Sequence, residues 1–385
     1  MSPDSAQQSN IPKIEPEEIL EGILDWVEAE SPTTDKDAVN KVADKVQGLY
    51  DGLGLSIERT PGRDGFGDII RARTENATGE KGILVLCHID TVHPIGVKDG
   101  ALKIRREGDE VYGPGIYDMK AGAYLPYYAY RHLQRLGRKT SLPVTFLYVS
   151  EEEVGSPMSQ AFIEEEAAKA KYVLVTEPAR DGGKVVTARK GVGRFTMTIT
   201  GRPAHAGARY QDGRSAISEL ANQINAIDAL VDLERGVTTN VGIISGGTAV
   251  NVVARDVVAE IDLRVLTKED GEDLSAKNLG LKAQNPDVTV EVTGGMNRPP
   301  MEATDASMKL FEHAKACAAE AGFELEATET TGGGSDGNFT AALGVPTLDG
   351  LGADGEGAHT LEEKIYFSSL EPRAKMWARL LETLK

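Results

Sequence analysis

Apolar positions recur at helical spacing over the first fifty residues. From Pro16 onward, Ile19, Leu20, Ile23, Leu24 and Val27 line one face of a helix, and proline is well tolerated in a first turn. Val39, Val42, Val46, Leu49 and Leu53 predict a second helix that stops at Gly54. The period then shortens. Residues 55–59, 68–73 and 82–88 read as strands, and the run Ile83-Leu84-Val85-Leu86-Cys87 is apolar throughout, as a strand buried on both faces of an α/β sheet is. A helix over 119–136, kinked or late-starting at Pro126, a strand over 144–149, a helix over 158–170 and a strand over 172–176 continue the alternation. Strands alternating with helices predict a mixed, mostly parallel sheet with helices on both faces.

The texture changes near residue 190. Residues 194–200 alternate polar and apolar. A helix with Ile217, Leu220, Ile224 and Ile227 follows, then alternating strands near 240–244 and 257–265, a further helix or turn, and a strand at 288–292. This describes a self-contained α+β unit with a half-exposed antiparallel sheet. After about 302 the first style returns, with a helix over 305–321, a strand over 323–327, a Gly-rich turn and a last helix ending at Lys385. A chain of 385 residues exceeds what one core usually organises. The expectation is one α/β domain, 14–190 with 302–385, interrupted by an inserted domain, 191–301, and preceded by a polar arm over 1–13.

Charge narrows the partners. Lys and Arg total 42 against 60 Asp and Glu, a net charge of −18, which argues against nucleic acid and anionic membrane surfaces. No run of 18 apolar residues is present, so no transmembrane helix is expected. The N-terminus lacks a basic stretch followed by an apolar one, which points to a cytoplasmic protein, although a trimmed secreted form would read the same way. Two cysteines, Cys87 and Cys317, exclude a disulfide framework. Cys87 faces away from His88 on its strand and reads as core packing.

Several loops carry residues suited to chemistry. His88 and Asp90 end a buried strand, where open α/β sheets place their sites, and positions i and i+2 share a face. A carboxylate beside a histidine can fix its tautomer as a ligand. Asp118 closes the glycine-rich segment Tyr112–Asp118 just before a helix, where it either serves a site or caps that helix. Glu151, Glu152 and Glu153 crowd the end of the strand at 144–149; a solvated turn is the plain alternative, and a cation would stabilise the crowding. Glu177 follows another buried strand and is pushed out of helical geometry by Pro178, while His359 sits in a small-residue loop late in the chain. The convergence of these positions, with nitrogen and oxygen donors and no cysteine, suits zinc, cobalt or manganese in an open catalytic site.

The HxD, GxxD, EEExGS and EP segments, the inserted Pro203-Ala204-His205-Ala206-Gly207 and the late His359 together resemble the M20 family of metallopeptidases from about residue 15 to the end. Within it the sequence is similar to the glutamate carboxypeptidases, the carboxypeptidase G2 type, in its HIDTV, YGPGI, EEEVGS, AHAGA, TGGGSD and GAHT segments. The resemblance implies a zinc-peptidase-like catalytic domain with an inserted ferredoxin-like lid and dimerisation domain. It implies two zinc ions bridged by Asp118, with His88 and Glu177 on one and Glu153 and His359 on the other. Glu152 would be the general base and Asp90 the partner of His88. The bridging Asp is followed in the family by a cis peptide bond, here Asp118–Met119, where Met119 replaces a frequent second acid. Such a pair of ions polarises a carbonyl and supplies hydroxide at neutral pH.

His205 would stabilise the oxyanion, supplied in the family by the other subunit of a homodimer joined through the inserted domain, here its helix at 213–231 and an edge strand. The substrate's free carboxylate would meet Arg298, with Arg264, Asn251 and the backbone of the Thr331–Asp336 turn, Gly333 included, as further contacts. The expected reaction is release of a C-terminal amino acid, foremost glutamate, from N-acyl or peptidyl conjugates of folate-like kind. The other readings of the same centre are an N-acyl amino acid deacylase, an aminoacylase or a small-peptide peptidase.

Overall fold

A computed structural model of the chain describes residues 13–75 and 79–385, so nearly all of the polar arm lies outside it. Two compact units emerge. One takes the described residues up to Thr187 with Ala303–Thr330 and Ser335–Lys385; the other takes Ala188–Glu302 and Thr331–Gly334.

In the first unit, α1 (Pro16–Glu28) buries Ile19, Leu20, Ile23 and Val27 of the predicted stripe together with Trp26, while Leu24 is only partly buried. Helix α2 (Lys36–Tyr50) is capped by the Asp35 side chain, which accepts from the Ala38 N–H at 3.0 Å. It ends before Leu53, because Gly52 and Gly54 turn the chain at positive φ. The strands β1 (Ser56–Thr60), β2 (Ile69–Arg73) and β3 (Gly82–His88) follow, then the short β4 (Arg105–Glu107) and β5 (Glu110–Tyr112). Helix α3 (Ala121–Arg135) continues through Pro126. Next come β6 (Val144–Val149), α4 (Gln160–Ala168) and β7 (Ala170–Val175).

The second unit is β8 (Gly191–Thr200), α5 (Ala216–Asp228), β9 (Thr238–Gly246), β10 (Asp256–Val265), α6 (Lys268–Leu279) and β11 (Thr289–Arg298). The chain then returns to the first unit with α7 (Asp305–Ala321), α8 (Gly337–Ala342), β12 (Thr347–Leu348), β13 (Gly355–Glu356), β14 (Lys364–Tyr366) and α9 (Leu370–Thr383).

The main sheet has the order β1-β2-β6-β3-β7-β12. Strands β6, β3, β7 and β12 are mutually parallel and β1–β2–β6 antiparallel, a mixed sheet. Central β3 shows why its sequence is continuously apolar. Ile83, Val85 and Cys87 join the core cluster that contains α1, α2, α3, α7 and α9 residues, whereas Leu84 and Leu86 join the cluster beneath α4 on the opposite face. The carboxyl ends of β6, β3 and β7 therefore lie side by side, and the chain leaves them as Ser150–Glu153, Ile89–Asp90 and Thr176–Glu177.

The second unit is a β-α-β-β-α-β arrangement with sheet order β11-β8-β10-β9, all antiparallel, as in ferredoxin-like folds. Val257, Ala259, Ile261, Leu263 and Val265 of β10 face its core. Two expectations need correction. Residues 323–327 form no strand; after the left-handed Gly322 the segment makes a single bridge, Val185 with Ala327, too little for a ladder. Ile217 is exposed rather than in the helix's buried face. Among the described residues no helix is long and apolar enough to cross a membrane.

Candidate metal centre

Seven of the residues singled out from sequence meet at the mouth of the main sheet, all in the first unit. His88 ends β3 and is buried. Its Nδ1 lies 3.0 Å from the Asp90 carbonyl and 3.4 Å from the Asp90 carboxylate. Both are acceptors, so Nδ1 keeps its hydrogen when the ring is neutral, and Nε2 is the atom whose lone pair a cation would take after its proton leaves. The carbonyl, nearer than the carboxylate, does most of the fixing. Nε2 stands 3.2 Å from Asp118 Oδ1 and 3.8 Å from Glu177 Oε1. On the other side of Asp118, His359 Nε2 is 3.3 Å from Oδ2 and 3.1 Å from Glu153 Oε2. Asp118 thus lies between two imidazoles, one oxygen toward each.

Local geometry delivers these groups. Asp118 is in an irregular turn with non-helical φ/ψ, the Asp118–Met119 peptide is cis, and the start of α3 at Lys120 has no side-chain cap. The helix-cap role is therefore unfilled by Asp118. Asp90 does more than face His88. Its carboxylate accepts from the backbone N–H of Glu152 at 3.2 Å and of Glu153 at 3.3 Å, and from the Thr33 hydroxyl at 2.7 Å, fixing the acidic turn. Glu151 turns away from the cluster and accepts from the N–H groups of Met158 (3.1 Å) and Ser159 (2.6 Å). The crowding is therefore between Glu152 and Glu153 rather than among three acids.

The electrostatics reflect this arrangement. Burial pushes the Glu153 carboxyl up to about 7, against the pull of His359. Hydrogen bonds to Asp118 and Glu153 raise His359 to about 10. Burial opposes charge on His88, yet Asp118 and Asp90 hold it well above the usual imidazole range. Burial likewise opposes charge on Asp118, and its two histidine partners outweigh it and hold the carboxyl far below its usual range. Donor atoms of His88, Glu152 and Glu177, and separately of His88, Asp118 and Glu153, lie within 4.8 Å of one another. Glu153 Oε1 is buried and finds no hydrogen-bond partner among the described residues. A mixed N/O donor set with an unsatisfied buried carboxylate oxygen fits a divalent cation.

The remaining candidates belong to the second unit. His205 is exposed, and its Nδ1 accepts from the N–H groups of Gly207 (3.2 Å) and Ala208 (3.1 Å). That assigns the hydrogen to Nε2 and makes this ring atom a donor. Arg298 is buried, with Nη1 3.4 Å from Asn297 Oδ1. A side chain at Gly334 would stand 2.9 Å from Arg298 Cδ, so the glycine turn needs glycine to pass over this arginine. Gly333 accepts from Arg189 Nη1 through its carbonyl at 3.1 Å. Arg264 is engaged by Asp262 on its own strand (Nε–Oδ1 2.8 Å, Nη2–Oδ2 2.8 Å), and Asn251 is exposed.

Thr33, His93 and Glu363 also support the centre, and Thr33 and His93 carry no signal in the sequence. Glu363, four residues beyond His359, was the one with a signal: an acid in the same small-residue loop.

Known proteins resemble this chain in sequence and in fold. Carboxypeptidase G2 from Pseudomonas sp. (strain RS-16) is 30% identical over 372 residues, covering 95% of this chain and 89% of that protein. A tripeptidase structure from Staphylococcus aureus superposes with a TM-score of 0.78 at 21% identity, covering 96% of this chain and 98% of its own. The YXEP protein of Bacillus subtilis, described as a dinuclear metal-binding peptidase of the M20 family, gives a TM-score of 0.67 at 16% identity, with coverages of 96% and 99%. Residues 84–383, from the central strand to the last helix, match peptidase family M20/M25/M40, and the chain belongs to that metal-dependent family of peptidases.

Proposed function

We propose that this enzyme is a two-metal carboxypeptidase that releases a C-terminal glutamate from N-acyl or peptidyl conjugates, folate-like ones among them. The observation that carries the reading is Asp118 lying between two histidines, with one oxygen toward each. His88, Asp118 and Glu177 would hold one cation; Asp118, Glu153 and His359 would hold the other. Zinc suits this donor set, as do cobalt and manganese. When bound, the pair supplies Lewis acidity at the scissile carbonyl and lowers the pKa of water.

The chain's own groups do the rest. Glu152 takes the proton of the attacking water and delivers it to the leaving nitrogen, so that one water is consumed as the C–N bond breaks. The Nε2–H of His205 suits an oxyanion acceptor. Arg298 would bind the substrate's free carboxylate through its planar fork. Arg298→Lys keeps the charge and loses the fork, so kcat/KM for N-acyl glutamates should fall by about 10- to 100-fold, with metal content unchanged. Unchanged kcat/KM in that variant would remove Arg298 from the site.

Measuring kcat/KM over N-acyl glutamates, N-acetylated neutral amino acids, and di- and tripeptides tests the substrate class. Release of glutamate from none of the first group would sink the carboxypeptidase reading. A preference for small peptides would favour the second reading, which the structural likeness to a tripeptidase supports.

The first unit would be the catalytic part and the inserted unit the lid and dimerisation part of a homodimer. Support comes from its exposed apolar residues, Ile243 (65%) and Ile244 (53%) on the edge strand β9 and Ile217 (49%) on α5. If His205 serves the partner's centre, mixing inactive His205→Ala and inactive Glu152→Gln chains should regenerate a fraction of wild-type activity. A mixture that stays inactive despite subunit exchange, followed by sedimentation, counts against action in trans.

A further inference from the structure

Glu363 is 1% exposed and takes no part in the ligand set described above. Its carboxylate is nonetheless saturated, by three amides of one loop and by His93. Oε1 accepts from the N–H groups of Tyr117 and Asp118, both at 2.9 Å. Oε2 accepts from the N–H of Gly115 at 3.0 Å and lies 2.6 Å from Nε2 of buried His93. The Glu363 main-chain carbonyl accepts from Gly113 at 3.3 Å. One residue therefore grips four amides of the segment that carries Asp118.

At its other end the same residue closes the loop that carries His359. Between Gly357 and Glu363 the chain makes a tight turn in which Thr360 donates to the Gly357 carbonyl through its N–H (3.0 Å) and hydroxyl (2.7 Å). His359 sits within it at φ 64°, a left-handed conformation that a β-carbon disfavours and that neighbouring bonds must hold. Immediately after Glu363, β14 pairs with β5, Lys364 opposite Tyr112. The two loops are joined by a buried anion, with His93 as its outer support.

We infer that Glu363 is a positioning residue: with His93 it sets the separation of Asp118 and His359, and so closes the metal subsite these share with Glu153. The inference rests on the two-metal reading. A buried carboxylate is suited to the task because charge-assisted bonds to several N–H groups are short and directional. Glutamine fills the same volume but turns an NH2 toward one of those donors, so the loop must shift by a fraction of an ångström without leaving a cavity.

The test is stepwise zinc loading of the full-length, metal-stripped chain against a chromophoric chelator, repeated with cobalt to record visible absorption. Wild type should bind two equivalents. Glu363→Gln should keep one equivalent at wild-type affinity and weaken the other by about 10- to 100-fold, the usual effect of groups that orient ligands. The cobalt spectrum of the second equivalent should change. In a His359→Ala background, where that subsite is already opened, Glu363→Gln should add little. Glu363→Ala leaves buried N–H groups unpaired and serves only as a folding comparison by circular dichroism.

Wild type that binds fewer than two equivalents overturns the two-metal reading, and the inference with it. Wild type that binds two while Glu363→Gln loads both with unchanged affinity overturns the positioning role alone. Equal weakening of both equivalents also overturns it, since it marks general loosening rather than one subsite.

Discussion

Replacing Glu152 with glutamine should lower kcat by about a thousandfold while two metal equivalents remain bound. General acid–base groups contribute about 10²–10⁴-fold, which corresponds to about 3–5 kcal/mol of barrier. Glu152 is buried, its N–H donates to Asp90, and a carboxylate oxygen lies in one cluster with donor atoms of His88 and Glu177. Glutamine preserves the volume and an acceptor oxygen but cannot accept and return a proton. Metal content by atomic emission distinguishes a lost base from a lost cation. A variant within tenfold of wild type with both equivalents bound would mean that another group carries the proton.

The same residue illustrates how far the sequence could be read. The positions of His88, Glu152–Glu153 and Glu177 were legible because each closes or follows a mostly apolar strand, and such strands become parallel neighbours whose carboxyl ends share one edge. Which of the three adjacent acids faces the centre was not legible from spacing. It depends on Glu151 finding the Met158 and Ser159 amides, contacts set by the turn into α4. The supports of the centre were also hidden. Glu363 and Gly115 are 248 positions apart, and a bond from a side chain to backbone N–H groups leaves no residue-type signature on the partner. Thr33, which braces Asp90 from the loop before α2, is equally silent. The strands β4, β5, β13 and β14 hold two or three residues each, too few for a period. Arg264 and Asp262, two residues apart on one strand, share a face, and the Asp262 carboxylate engages the guanidinium expected to meet substrate.

Asp118→Ala should abolish loading of the metal pair and depress activity at least as far as loss of Glu152, because one carboxylate serves both subsites. Its removal also changes the proton inventory, which gives a second readout. In the metal-free protein His359 is raised to about 10, chiefly by Asp118 and Glu153, so at neutral pH it carries a proton. His88 is likewise held in its charged form against burial. Ligation requires both rings neutral and Glu153 ionised, so loading near pH 7 should release between two and three protons per chain, two from the rings and a fraction from Glu153. Calorimetry in buffers of different ionisation enthalpy measures that number.

The sign of the pH dependence follows. Proton competition at His359 operates below its raised value of about 10 and vanishes above it. Glu153, raised to about 7 by burial, adds a further competing proton only as the pH falls through that value. Apparent affinity should therefore rise with pH from 6 to 9, more steeply below 7 than above. In Asp118→Ala both imidazoles lose a carboxylate partner and return toward their usual range. Any residual cation taken up by His88 and Glu177 should then release less than one proton at pH 7.5, and its affinity should be nearly flat above that pH. Two equivalents bound by Asp118→Ala with wild-type proton release would show that the histidines answer to some other anion, and that Asp118 does not join the two subsites.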